Sequence, residues 1–128
     1  MNYVFNPGVI VKHTLPDKYY LKIQNDHFKD GFIYLFVLEN SIRSLTGIVM
    51  NNLSDNAYNK LLDALSLNPE KFYQYPTYYI DTTLPRHSTY YKEIKKRIIT
   101  IPNIQSLVAS KYLVVVKDVL KQFIEAKA

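Results

Sequence analysis

Cysteine is missing from this chain altogether. Its absence excludes disulfides, thiolate zinc sites and cysteine nucleophiles together. It agrees with an intracellular environment, where thiols offer little because disulfides do not persist, or with a hot one, where thiols oxidise easily. Glycine is almost as scarce, with three in 128 residues, and no stretch rich in Pro, Gly or Ser divides the chain. A single domain over residues 1–128 is expected, long enough to bury about two thirds of its unfolded surface without staples. Long apolar runs are also missing. The longest, Phe32 to Leu38 and Leu113 to Val116, fall far short of the ~20 residues of a membrane-spanning helix. The N-terminus shows no basic segment followed by an apolar one, so no signal peptide is expected. These absences lead to an expectation of no membrane partner and a cytoplasmic setting.

Catalytic signatures are missing too. There is no P-loop, no dinucleotide fingerprint and no Gly-x-Ser-x-Gly elbow, and each of these has a required spacing. His13, His27 and His87 are widely separated, and neither H-x-H nor H-E-x-x-H occurs. Adjacent strands could still bring His13 and His27 together. Asp17, Asp26, Asp30 and Asp81 read as turn or strand-end residues rather than as a metal-dependent nuclease centre. The expectation is a protein without catalytic residues, cofactor or metal.

What the chain does have is tyrosine and a lopsided charge. Residues 1–84 carry seven Lys/Arg and eight Asp/Glu, whereas residues 85–128 carry nine and three, for a total of +5. A balanced body with a basic C-terminal third points to an acidic partner such as nucleic acid. Twelve tyrosines are roughly three times the usual share. Three pairs occur, Tyr19-Tyr20, Tyr78-Tyr79 and Tyr90-Tyr91. Each ring offers a flat stacking face and a polar tip.

The first half reads as strands. Val9-Ile10-Val11 is β-branched and follows Pro7-Gly8. Lys18 to Gln24 alternates, with Tyr19, Leu21 and Ile23 on one face and Lys18, Tyr20, Lys22 and Gln24 on the other. Phe32 to Leu38 has the continuous apolar character of a strand covered on both sides. Ile42 to Met50 is a further candidate strand, and short turns imply an antiparallel meander. Ser54 caps a predicted helix over 55–67, whose face is Tyr58, Leu61, Leu62 and Leu65. Residues 69–77 read as irregular with one helical turn, and Tyr78 to Thr83 as a strand. A second helix follows Pro85, capped by Ser88 or Thr89, with Tyr91, Ile94, Ile98 and Ile101 on one side and Pro102 as its breaker. Residues 104–125 are predicted as a third helix, with a short strand leading into a helix as the alternative. The expected fold class is α+β: an antiparallel sheet of four or five strands packed by two or three helices, and not an OB fold.

Two constellations carry the functional expectation. The first is Arg86-His87-Ser88-Thr89-Tyr90-Tyr91-Lys92, continued by Lys95, Lys96 and Arg97. It surrounds a helix start with cations and rings, where phosphate oxygens meet backbone N–H groups and bases meet stacking surfaces. The second is Lys18, Tyr20 and Lys22 with Lys12 on the preceding strand, a basic-aromatic sheet surface of the kind that holds single strands. The bland alternatives are a capped amphipathic helix and an ordinary solvated sheet face.

In this character the chain resembles the small proteins of viruses that infect hyperthermophilic archaea. Within these it is similar to the single-stranded-DNA-binding protein of the rod-shaped rudiviruses. The resemblance covers the whole chain by composition and carries no diagnostic motif, so no residue role is transferred from it. It implies single-strand binding without an OB fold, as a dimer, in the cytoplasm of an infected host. The surplus of apolar C-terminal residues also points to a homodimer contact. The function expected is binding of single-stranded DNA with low sequence specificity. Two readings stand beside it: a viral accessory module that binds a protein, and an enzyme of nucleic-acid processing that uses Tyr90 or Tyr91 beside His87.

Overall fold

In a computed structural model the described residues are 4–14 and 31–127, the last two by backbone alone. The expected Lys18–Gln24 strand and its Lys18, Tyr20 and Lys22 therefore lie outside the described residues. Five strands form one open sheet: β1 (Val9–Thr14), β2 (Phe32–Asn40), β3 (Ser44–Val49), β4 (Ile98–Pro102) and β5 (Leu113–Asp118). Their order is β4-β3-β2-β1-β5, and every neighbouring pair is antiparallel. Six helices accompany it among the described residues: α1 (Asp55–Leu67), α2 (Pro69–Gln74), α3 (Pro76–Thr83), α4 (Thr89–Lys96), α5 (Ile104–Ala109) and α6 (Val119–Lys127). The class is α+β as expected, with the helical part in more and shorter pieces.

Strand alternation sorts the sheet into two apolar faces. Phe36, Leu38 and Ile48 pack with Ala57, Leu61, Leu65, Phe72, Tyr79 and Ile94 of the helices. Val11, Ile33, Leu35, Val37 and Leu45 form a second cluster on the opposite face, joined by Ile104 of α5. The expectation that Phe32 to Leu38 is covered on both sides holds from Leu35 to Leu38, where four successive residues have no accessible surface.

The helix starts obey local chemistry. Ser54 accepts the Ala57 N–H at 3.2 Å to cap α1. Its own N–H and hydroxyl both donate to the Glu93 carboxylate at 2.7 Å, which ties the start of α1 to α4. Asn68 accepts the Lys71 N–H and Pro69 stands in the first turn of α2. Ser88 caps α4 through the Tyr91 N–H.

Three sequence expectations are corrected. Residues 78–83 are helix rather than strand. Pro76 opens α3, and Tyr79 and Ile80 turn inward at helical spacing. The Tyr79 hydroxyl reaches the Ala64 carbonyl at 2.6 Å in the interior, so a tertiary bond overrides the strand preference of Tyr, Ile and Thr. Ile98 and Ile101 leave the helix that holds Ile94. The Arg97 guanidinium donates to the Asn51 and Asn52 carbonyls at 2.5 and 2.9 Å, and the chain turns at Arg97 to pair Ile98 with Ile48. The long C-terminal helix is three elements, α5, β5 and α6. Lys111, at φ 62°, breaks the helix, and the β-branched run that follows pairs with β1. The helical spacing of Leu120 and Phe123 is genuine but belongs to α6 alone.

One glycine holds the two ends of the chain together. Gly8 has φ 89°, donates to the Val37 carbonyl at 2.8 Å and accepts from the Val119 N–H at 3.0 Å. A Cβ there would stand 2.5 Å from the Leu120 Cβ. The left-handed conformation and the clash act together. Gly8→Ala is expected to destabilise the fold by about 2–4 kcal/mol, read as a lowered urea midpoint with an unchanged slope.

Candidate nucleic-acid interface

The 86–97 cluster is built around Asp81, a carboxylate that sequence reasoning read as a turn or strand-end residue. The Tyr91 hydroxyl donates to Asp81 Oδ1 at 2.6 Å, and Lys95 Nζ reaches the same oxygen at 3.1 Å. Arg86 approaches Oδ2 at 3.5 Å. The Tyr91 bond first, and the Lys95 bond next, hold the Asp81 carboxyl below its ordinary value. The same bond pushes the Tyr91 phenol above its ordinary value. A nucleophile needs the opposite shift, toward phenolate.

The other members divide between solvent and structure. Tyr90 is half-buried against the helical core, with Lys60 Nζ 5.5 Å from its ring centroid. Arg97 is 13% exposed and is engaged by backbone carbonyls, with Glu93 at 3.9 Å. His87, Lys92 and Lys96 stand in solvent. Arg86 and Lys95 are also largely exposed, and their ion pairs to Asp81 are of the surface kind that a stronger anion displaces at little cost.

Lys12 stands in a different setting. It projects from the helix-side face of β1, opposite Tyr34 of β2 and Val114 of β5. Its ammonium lies 4.5 Å from the Phe32 ring centroid. Phe32 and Tyr34 meet edge to face at 5.4 Å. One row further on, the Thr14 N–H donates to the Tyr112 carbonyl and Thr14 pairs with Phe32. One row of side chains thus crosses three strands, Val114, Lys12 and Tyr34, and the pair Thr14 and Phe32 follows it, with Tyr112 just before β5. At ~4.8 Å between strands the platform is about 10 Å wide. Among the described residues neither Phe32 nor Tyr34 joins the packed core, because the described helices cover the sheet only as far as the row of Ile10, Phe36 and Ile48.

Asn51 supports the platform and links it to α4. Its side chain accepts the Tyr34 N–H at 2.7 Å and donates to the Phe32 carbonyl at 3.4 Å. Its own carbonyl receives Arg97. Through these bonds Arg97, itself mostly enclosed, joins the two constellations. Sequence reasoning missed Phe32, Tyr34, Tyr112 and Asn51. The available signal was the alternation of aromatic and aliphatic residues in Phe32-Ile33-Tyr34-Leu35, which separates a stacking face from a core face.

His13 lies on the other face of β1, buried, with Nδ1 3.1 Å from the Tyr112 carbonyl. Burial pushes its pKa down. Among the described residues no three His, Asp or Glu side chains gather as a metal site, and no helix is long and apolar enough to cross a membrane. His27 lies outside them. Compared with protein-family models, curated proteins and solved structures, the chain matches none.

The Asp81 hub makes stability depend on acid. The folded protein holds this carboxyl below its ordinary value of 3.8. Its contribution is therefore complete above about pH 4 and is lost as the pH falls through the folded value. Urea midpoints measured from about pH 7 to about pH 2 are expected to fall less steeply at the acid end in Asp81→Asn than in the wild type. The slope that remains includes Glu93, where burial raises the pKa but the two Ser54 bonds and the Arg97 charge together lower it below its ordinary value.

Proposed function

We propose that the protein binds single-stranded DNA, and does so as a homodimer. The observation that carries the reading is the Lys12–Phe32–Tyr34 platform, a cation and two half-buried rings at the end of the sheet that the described helices leave uncovered. Stacking on phenyl and phenol rings accepts any base, so low sequence preference follows from the chemistry. Lys12 supplies phosphate neutralisation at the platform. His87, Lys92 and Lys96, with Arg86 and Lys95 once released from Asp81, extend it along α4. Lys18, Tyr20 and Lys22, which lie outside the described residues, stay in the proposal on the sequence reading alone. The likeness in composition to the rudiviral single-strand binder points the same way. A duplex hides its base faces and offers the platform only its phosphates.

Fluorescence anisotropy with an unstructured oligonucleotide, and with a duplex of equal length, is the direct test across a salt series. The single strand is expected to bind more tightly, with affinity falling as salt rises. Phe32→Ala and Tyr34→Ala are each expected to weaken it by about 1–3 kcal/mol, and Lys12→Gln to lower the salt slope by about one. Equal or absent binding of both forms at low salt would reject the proposal. Wild-type affinity in the folded ring variants would move the site elsewhere.

A further inference from the structure

The outer edge of β5 is the least protected apolar surface of the described chain. Val114, Val115 and Val116 are 48%, 48% and 51% exposed. With Val108 and Tyr112 they make five of the eleven exposed large apolar residues, all within residues 108–116. Surface apolar residues scattered singly need no explanation, but a contiguous group does. The valines point to both sides of the sheet. Val114 shares a face with Lys12 and Val115 with Val11. A helix laid on one face covers only half of them, whereas a strand alongside covers both.

The backbone makes the same demand. The Tyr112 carbonyl accepts from Thr14 while its N–H turns back to the Leu107 carbonyl, so two residues on, within the ladder, Val114 directs its polar groups toward β1. Alternation in the ladder then turns those of Leu113 and Val115 outward. Among the described strands none lies on that side of β5. Natural edges are usually guarded by charge, proline or a bulge. Here the register shift opposite Ile10 and Val11, and Lys117 beyond it, come only at the far end of the valines.

We propose that this edge is the dimer interface: two copies join antiparallel through β5 into a continuous sheet with five strands from each. The inference rests on the homodimer part of the reading above and locates its contact. A second copy fits for two reasons. The strand is flanked by Lys111 at its start and ends in Asp118. Antiparallel pairing brings Lys111 of each copy toward Asp118 of the other, with Lys117 one residue before that aspartate, whereas parallel pairing sets Lys111 against Lys111 and Asp118 against Asp118. The opposite edge, β4, closes with Pro102, which has no N–H to donate. Association from one edge alone stops at two copies, the closed two-fold case. A two-fold axis perpendicular to the sheet keeps faces in common. Both Lys12–Tyr34 platforms then open to the same side, with their Tyr34 residues about 24 Å apart across five strand spacings.

The test uses the full chain without nucleic acid, so its outcome is independent of the binding measurement. Sedimentation equilibrium from low to high micromolar concentration is expected to give a dimer for the wild type. Val115→Lys is expected to give a monomer with an unchanged circular dichroism spectrum. Because the chain has no cysteine, Val114→Cys, Val115→Cys and Val116→Cys each introduce a single thiol. Only a position on the two-fold axis brings two Cα atoms within the ~4.4–6.8 Å of a disulfide. One variant of the three is therefore expected to cross-link with itself several-fold faster than the others under mild oxidation. A wild-type monomer at every concentration would overturn both homodimer and interface, leaving the edge to a strand of another protein. A dimer that survives Val115→Lys, with equal and slow cross-linking at all three positions, would overturn the interface and keep the homodimer.

Discussion

The structure depends on removing both faces of β2 from water. Leu35, Phe36, Val37 and Leu38 are fully buried in succession, two to each side. Each side chain of this size contributes about 1.5–3 kcal/mol when buried. A strand that is apolar on both faces requires a layer on each, which is why helices pack on one side and Ile104 of α5 joins the cluster on the other. The same strand defines where the cover stops. Its first residues, Phe32 and Tyr34, lie beyond the last row reached by the helices. They stay half-buried beside Lys12. The candidate site is the place where the core runs out.

Charge in this molecule serves the fold before it serves a partner. Asp81 gathers Tyr91, Lys95 and Arg86 to hold α3 against α4. Glu93 takes both donors of Ser54 and fixes α1 to α4. Arg97 satisfies carbonyls where β3 ends. The net positive charge of the C-terminal third is therefore only partly displayed. The buried share, Arg97, is committed. The exposed share at Arg86 and Lys95 sits in ion pairs weak enough to exchange for phosphate.

The two edges of the sheet differ in kind. At β4, Pro102 ends the strand, and Thr46 and Thr100 bond to one another across β3 and β4 at 2.9 Å. At β5, valines are presented to both faces with outward backbone groups between them. The platform and the open edge are neighbours, because Val114 belongs to both. Anything that extends the sheet through β5 extends the surface on which Lys12 and Tyr34 stand.

Much of this was legible in the sequence. The α+β class, β1, β2, β3, the Ser54 and Ser88 caps and the start of α1 all follow from local signals: alternation, turn residues and side chains that satisfy the first helical N–H groups. What local signals could not decide were segments whose residues suit two states. Tyr78–Thr83 has strand propensity but becomes helix because Tyr79 finds Ala64. Leu113–Val116 fits a helical spacing but becomes strand because β1 offers it an edge. At the site, residue types announced cations and rings, yet which rings are exposed depends on partners distant in the chain. Tyr91 is held by Asp81 and Tyr34 stands at the end of the sheet. By itself the sequence determined composition, charge and local periodicity, because these reside in neighbouring residues. Tertiary structure alone decided which tyrosines face water and which edge stays open, because burial and strand pairing are set by contacts between segments far apart.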